Sequence, residues 1–179
     1  MIILWISRIA GSKRPLDYVE IARRMPEHIF QMIGSGDREL VNEIIEKTAG
    51  LKNFSYLGIK LREEKDNLIG SCDIYVTTST FEGFELTPLE ALTQGKAVVA
   101  KSLPIFHAMY GDALQYAESI DDFVKQIRKL EDPFAREERA SRGRLLVKRY
   151  TWEKAATNIS HLLSGHVLAL CDDDPWIYC

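Results

Sequence analysis

The chain has 179 residues, 46% hydrophobic and 27% charged, a balance that supports one sizeable core and favours a single domain. A net charge of −3 gives no global argument for nucleic acid as a partner. No run approaches the ~18 apolar residues of a membrane span, and the opening MIILWISRIAGSKR is apolar before it is basic, the wrong order for a secretion signal.

In chain order, the first two thirds alternates strands and helices. Ile2 to Ser7 is a short apolar run that reads as a buried strand. Pro15 to Met25 has helical spacing at Leu16, Val19 and Ile21-Ala22. Ile29 to Ile33 is a second strand, ended by Gly34-Ser35-Gly36, and Asp37 opens an amphipathic helix carrying Leu40, Val41, Ile44 and Ile45. Phe54 to Leu57 is a third strand, Glu63 to Ser71 a helix, and Asp73 to Thr78 a fourth strand. Thr87 to Thr93 is a helix stopped by Gly95, followed by strands at Ala97 to Ala100 and Leu114 to Ala117. From Ile120 onward the period becomes helical throughout, over about 120–131, 134–149 and 152–164, with Thr151 as N-cap of the last. Residues 1–165 therefore read as one domain, and 166–179, ending CDDDPWIYC, as an irregular tail.

Strands this apolar, separated by helices, imply a doubly wound parallel sheet of Rossmann type with C-terminal helices. Such sheets bind ligands beyond the carboxyl ends of their strands, at the switch in strand order. The residues that follow the first strand are Arg8, Gly11, Ser12, Lys13 and Arg14; those that follow the fourth read EGFELTPLE, from Glu82 to Glu90. Thr87-Pro88-Leu89-Glu90 on its own is a capping box, with Thr87 as N-cap and Pro88 at the first helical position. That explains Glu90 and leaves Glu82 and the Gly83-Phe84 turn unexplained. A helix N-terminus facing Arg8 and Lys13 suits a diphosphate. Carboxylates beside it cannot bind phosphate, but they accept hydrogen bonds from sugar and ribose hydroxyls. The stretch therefore reads as a site for a nucleoside diphosphate sugar.

EGFELTPLEAL followed by GKAVVA resembles the E-x7-E region of the retaining glycosyltransferases with the GT-B fold, in the large family four group. The order ISR, Lys13, QMIGSGD, FSYLG and CDIYVTTSTFEGFELTPLEAL is similar to that family as well, as is PIFHAMYGDALQY, so the likeness covers about residues 2 to 165. The resemblance implies that Arg8 and Lys13 hold the donor diphosphate. It places Glu82 near the transferred hexose, Gly83 and Phe84 in the loop that approaches that sugar, and the Leu86 and Thr87 amides against the diphosphate. It assigns Glu90 to the ribose hydroxyls and puts the base near Gly58, Ile59 and Lys60. No metal or other cofactor is implied; the substrate would be a UDP-, GDP- or ADP-sugar. Glu85 departs from the family, which commonly has a small residue there, and a carboxylate would repel the diphosphate unless it points to the sugar or away. Ser7 and Arg14 stand where the family often has Gly. The chain begins where the donor-binding domain of such enzymes begins, so an acceptor-binding domain or subunit is expected as a partner. A nucleotide-sugar epimerase of the same plan and a non-catalytic nucleotide-sugar-binding subunit are the alternatives.

Other features have plainer readings. Gly34-Ser35-Gly36 is a turn rather than a phosphate loop, and His107 a loop histidine. Residues 125–149 carry nine basic against four acidic side chains, net +5, which reads as a solvated helical surface, with acidic lipid headgroups at a membrane surface as the alternative. His161 and His166, five apart, do not share a helix face and make no metal site. Three scattered cysteines, Cys72, Cys171 and Cys179, fit a reduced, cytoplasmic setting, and CDDDPWIYC is a loose tail rather than a metal or disulfide loop.

Overall fold

The computed structural model describes residues 1–163. One sheet of six parallel strands runs in the order β3-β2-β1-β4-β5-β6. The strands are β1 Ile2–Ile6, β2 Ile29–Ile33, β3 Phe54–Tyr56, β4 Ile74–Thr77, β5 Ala97–Lys101 and β6 Gln115–Ala117. The helices are α1 Pro15–Arg24, α2 Arg38–Thr48, α3 Glu63–Ser71, α4 Leu86–Thr93, α5 Pro104–Tyr110, α6 Ile120–Lys129, α7 Pro133–Val147 and α8 Trp152–Leu163. The tail, with His166, Cys171 and Cys179, lies outside the described residues.

Alternate residues of each central strand enter opposite cores, because successive side chains of a strand point to opposite faces. Ile3, Trp5, Ile74, Val76, Ala97 and Val99 pack with Tyr18, Ile21, Ile44, Phe123 and Ile127 from α1, α2 and α6. Leu4, Ile6, Tyr75, Val98 and Ala100 pack with Ile69, Leu92, Phe106 and Met109 from α3, α4 and α5. Both faces are thus covered, which is why the strands carry no polar alternation. The chain leaves β1 toward β2 and β3, then returns past it to β4, β5 and β6. The switch point is the gap between β1 and β4.

Two expectations are corrected. The segment after β5 contains a helix, α5, and not only a loop, so His107 is helical; its exposed imidazole Nε2 lies 2.9 Å from Ser102 Oγ. Pro104 starts α5 with its preset φ, and Phe106, Met109 and Tyr110 form its buried face. The second correction is the start of α4, two residues earlier than the capping-box reading places it. Glu85 is the N-cap, Thr87 the second helical residue and Pro88 the third. Thr151 does cap α8, accepting from the Lys154 N–H at 3.3 Å. The arginines of α7 have intramolecular partners: Arg142 pairs with Asp112 and Glu138, Arg144 with Glu137, and Arg136 donates to the Leu130 carbonyl.

The glycines of QMIGSGD serve close packing. The Ile9 N–H donates to the Ser35 carbonyl and the Asp37 N–H to the Ile9 carbonyl, both at 2.9 Å, so the chain after β2 lies along Ile9. A Cβ on Gly36 would overlap the Ile9 main chain, and one on Gly34, whose φ is +149°, would overlap the Ser7 carbonyl. Gly36→Ala should therefore lower stability by about 2–3 kcal/mol, read as a lower urea midpoint at unchanged slope. An unchanged midpoint would refute the close approach.

Candidate functional site

The loops after β1 and β4 are sewn together at the switch point. The Trp5 indole N–H, buried on β1, donates to Thr78 Oγ at 3.0 Å. Thr78 in turn donates to the Lys13 carbonyl at 2.8 Å, with the Arg14 carbonyl 3.0 Å away. The Thr80 N–H donates to the Ser12 carbonyl at 2.8 Å. Gly11–Lys13 forms a 3-10 turn, and Arg14 follows it at φ 49°, ψ 49°, a left-handed conformation that glycine adopts without strain. The guanidinium of Arg14 forks onto both oxygens of Asp17, each at 3.0 Å.

This sewing turns Lys13 toward Glu82, and the two form an ion pair with side chains only 17% and 8% exposed. Arg8 is exposed and makes no hydrogen bond or ion pair with the described residues. Across the crevice, α4 starts with no side-chain cap, leaving the Leu86 and Thr87 amides without a capping acceptor. Gly83 is exposed with open space above it, and Phe84 lies edge-on to Tyr150 with ring centroids 6.4 Å apart. Glu90 sits in the second turn of α4 and caps nothing. Its Oε1 is 2.6 Å from Lys65 Nζ of α3, and its Oε2 is buried without a partner. Ile59 and Lys60 follow β3, with Ile59 exposed and Lys60 paired to Glu64.

Glu85 points inward. It is buried, and its Oε2 accepts from the Thr77 hydroxyl at 3.0 Å while its Oε1 is enclosed without a partner. Its carbonyl accepts from the Tyr110 hydroxyl at 2.9 Å. Burial first, and then the Glu82 carboxylate, push the Glu85 carboxyl up to about 7; the charge of Lys13 and the Thr77 bond oppose this.

The structure therefore brings Lys13 to Glu82, with Glu85 in electrostatic contact with both, and gathers Arg8, Leu86, Thr87 and Glu90 on the loops and helix around the same switch point. Thr77, Thr78, Lys65 and Tyr110 belong to this arrangement and carry no signal of their own in the sequence, apart from the position of the two threonines at a strand end. A cavity of about 530 Å³ borders this arrangement at Tyr110 and is lined besides by Arg142, Arg149, Tyr150 and Lys154; it includes none of Arg8, Lys13, Glu82, Glu85 or Glu90. Among the described residues, the acidic and imidazole groups close enough to share a cation are Glu27, His28 and Glu131. They lie at the amino end of β2, opposite the crevice, with His28 Nε2 2.9 Å from Glu131 Oε1.

Residues 1–144 match the family described as "Glycosyl transferases group 1". The chain belongs to this family of glycosyl transferases. The UDP-N-acetylglucosamine--peptide N-acetylglucosaminyltransferase GtfA subunit of Streptococcus pneumoniae is 32% identical over 104 residues, covering 55% of this chain and 20% of that protein. The O-antigen chain mannosyltransferase B of Escherichia coli is 28% identical over 135 residues, 72% of this chain and 35% of the other. The phosphatidyl-myo-inositol mannosyltransferase of Mycobacterium tuberculosis is 27% identical over 153 residues, 78% and 39%. Among solved structures, HepE of Anabaena in complex with UDP and glucose superposes with TM-score 0.79 at 19% identity, over 92% of this chain and 48% of that one. Pneumococcal GtfA in complex with UDP and GlcNAc gives 0.75 at 20%, over 92% and 35%. These likenesses establish the group 1 family and the GT-B type of fold, and the chain spans less than half the length of each relative. No helix among the described residues is long and apolar enough to cross a membrane.

Two outcomes test the site. Lys13→Ala leaves Glu82 without its cation and should cost about 2 kcal/mol of stability, of which adding Glu82→Gln should recover at least about half. Additive losses would mean that the pair is not coupled. Because the folded-state value of Glu85 is raised, its contribution is fully present below the ordinary carboxyl value of about 4.3 and is lost as pH rises through about 7. Glu85→Gln should accordingly gain stability relative to the parent by about 2 kcal/mol at about pH 8 and by nearly nothing at about pH 4. A pH-independent difference in melting temperature would contradict this.

Proposed function

We propose that this chain is the donor-binding half of a retaining hexosyltransferase that takes a nucleoside diphosphate sugar. The observation that carries the reading is the pairing, across one crevice, of an unpartnered Arg8 and the Lys13 turn with an uncapped helix N-terminus, flanked by the carboxylates of Glu82 and Glu90. Cations and helix amides suit the diphosphate in the middle; acceptor-only groups suit the hydroxyls at its two ends. The UDP complexes of HepE and GtfA support the ligand class by analogy.

In this reading the diphosphate draws Lys13 away from Glu82, and Arg8, Lys13 and the Leu86 and Thr87 amides stabilise the charge that grows on it as the sugar departs, the electrostatic contribution that dominates much of catalysis. Glu82, released from Lys13, accepts from the sugar hydroxyls and orients the ring. Gly83 and Phe84 place their backbone beside it. Glu90 holds the ribose, with Lys65 steadying one of its oxygens. The acceptor hydroxyl attacks from the face that the diphosphate leaves. The acceptor is held by a second domain or subunit; the GtfA relatives, one of them solved as a GtfA/B complex, are the analogy for a subunit. The charge of the leaving group is assigned to protein groups rather than to a metal.

Calorimetric titration with UDP, GDP and ADP tests the reading. One of them should bind, and Arg8→Ala should weaken it by about 1.5–3 kcal/mol, the scale of a hydrogen bond to a charged group. Glu90→Gln should cost about 1–3 kcal/mol with that ligand and show little further loss with its 2′,3′-dideoxy form, whose partner hydroxyls are gone. Failure of all three diphosphates to bind, or full affinity in Arg8→Ala, would overturn the assignment.

A further inference from the structure

Glu85 occupies the N-cap of α4 but does not cap it. Its carboxyl turns beneath the loop, 7% exposed, instead of accepting from the first-turn amides. One oxygen is held by Thr77 and the other, Oε1, is enclosed with no partner among the described residues. The groups that face it are Glu82 from the loop after β4, Lys13 from the turn after β1, Thr77 and Tyr75 from β4 and Tyr110 from α5. Two nearly buried carboxylates therefore lie beside one cation, Lys13, which is ion-paired to Glu82 and whose charge also acts on Glu85; it is also the cation placed to meet a diphosphate.

Resting on the donor-site reading above, we propose that Glu85 is a specificity-determining residue: with Glu82 it makes the sugar end of the crevice a two-carboxylate pocket that admits uncharged hexoses and excludes uronic acids. When the diphosphate takes Lys13, both carboxylates lose their shared counter-charge. An uncharged sugar answers them with hydroxyl donors, and the unpartnered Oε1 is an acceptor left over for one of these. A uronic acid brings a further carboxylate, which has no proton to donate and meets like charge in a poorly solvated place. A purely structural role for residue 85, tying the loop to Thr77 and Tyr110, needs no charge and is open to glutamine.

The two readings differ in pH dependence. Burial holds the phenols of Tyr75 and Tyr110 above their ordinary range, so neither changes charge near neutrality. Glu85, pushed up to about 7, gains its charge there. Exclusion should strengthen as pH rises through that value.

The test is calorimetry on the whole chain with UDP, UDP-glucose and UDP-glucuronate, at about pH 6 and about pH 8.5. Should GDP prove the preferred diphosphate, GDP-mannose and GDP-mannuronate replace the UDP pair. At the higher pH the neutral sugar nucleotide should bind at least about tenfold more tightly than the uronate, with a smaller gap at the lower pH. Glu85→Gln should shrink the high-pH gap at least about threefold and flatten its pH course. Thr77→Val, which removes the hydroxyl but keeps the acid, should retain the gap. Equal binding of the two sugar nucleotides, or a gap that Glu85→Gln leaves unchanged, overturns the inference while diphosphate binding leaves the donor-site reading standing. If no diphosphate binds, that reading falls and the inference falls with it.

Discussion

The arrangement of the crevice depends on one hydroxyl. Thr78, 1% exposed, accepts from Trp5 in the core and donates to the carbonyl of Lys13. An isolated loop after β1 has many conformations, and fixing each of its residues costs about 1–2 kcal/mol of conformational entropy. Here that cost is met in the fold, because a buried indole and a buried threonine leave the turn at Ser12 and Lys13 one place to lie. The adjacent bond from Thr80 to Ser12 repeats the constraint one step further out. Lys13, and with it the ion pair to Glu82, is arranged on this frame. A bound anion would find its partners already placed, the condition under which charge stabilisation is most effective.

The charges themselves come mostly in pairs. Lys13 rests on Glu82 and Lys65 on Glu90, while Arg8 has no partner among the described residues. A ligand with anionic and hydroxyl groups would offer the first pair a replacement on each side, phosphate for Lys13 and hydroxyls for Glu82, while Glu90 keeps Lys65 on one oxygen and has the other for a hydroxyl. Pairing with the two lysines lowers the penalty of holding two part-buried carboxylates. Glu85 is the exception, a buried acid whose second oxygen has no partner among the described residues. That is a local cost of the kind expected where function, not stability, selects the residue.

Much of the fold was readable because apolar strands covered on both faces leave unbroken runs such as IILWI and AVVA, and because Asp37, Gly95 and Thr151 punctuate them. The candidate site was readable in part for the same reason. A parallel sheet delivers whatever follows its strands to one edge, so Arg8, Lys13 and the Glu82–Glu90 stretch could be assigned a common location without coordinates. What stayed hidden depends on contacts between distant segments. The seven residues of α5 make too few turns to show a period, and His107 looked like part of a loop. TPLE has the letters of a capping box, yet with Glu85 held inward by Thr77 and Tyr110 α4 starts two residues early, which sets Glu90 beyond the cap. Lys65, 25 residues before its partner, gave no local hint of Glu90.

The Trp5–Thr78 bond spans 73 residues of chain. The two sides of the crevice are therefore made at different times: β1 and its turn leave a ribosome first, and β4, the Glu82 loop and α4 only after two intervening strands and three helices. Contacts of such long separation close late in folding. Until then the crevice has only one of its two walls, and Trp5 lacks the Thr78 hydroxyl that receives its indole N–H. A ligand that binds only the completed crevice can steady the finished domain by mass action but cannot guide the unfinished one, so it gives no protection while Trp5 is still uncovered.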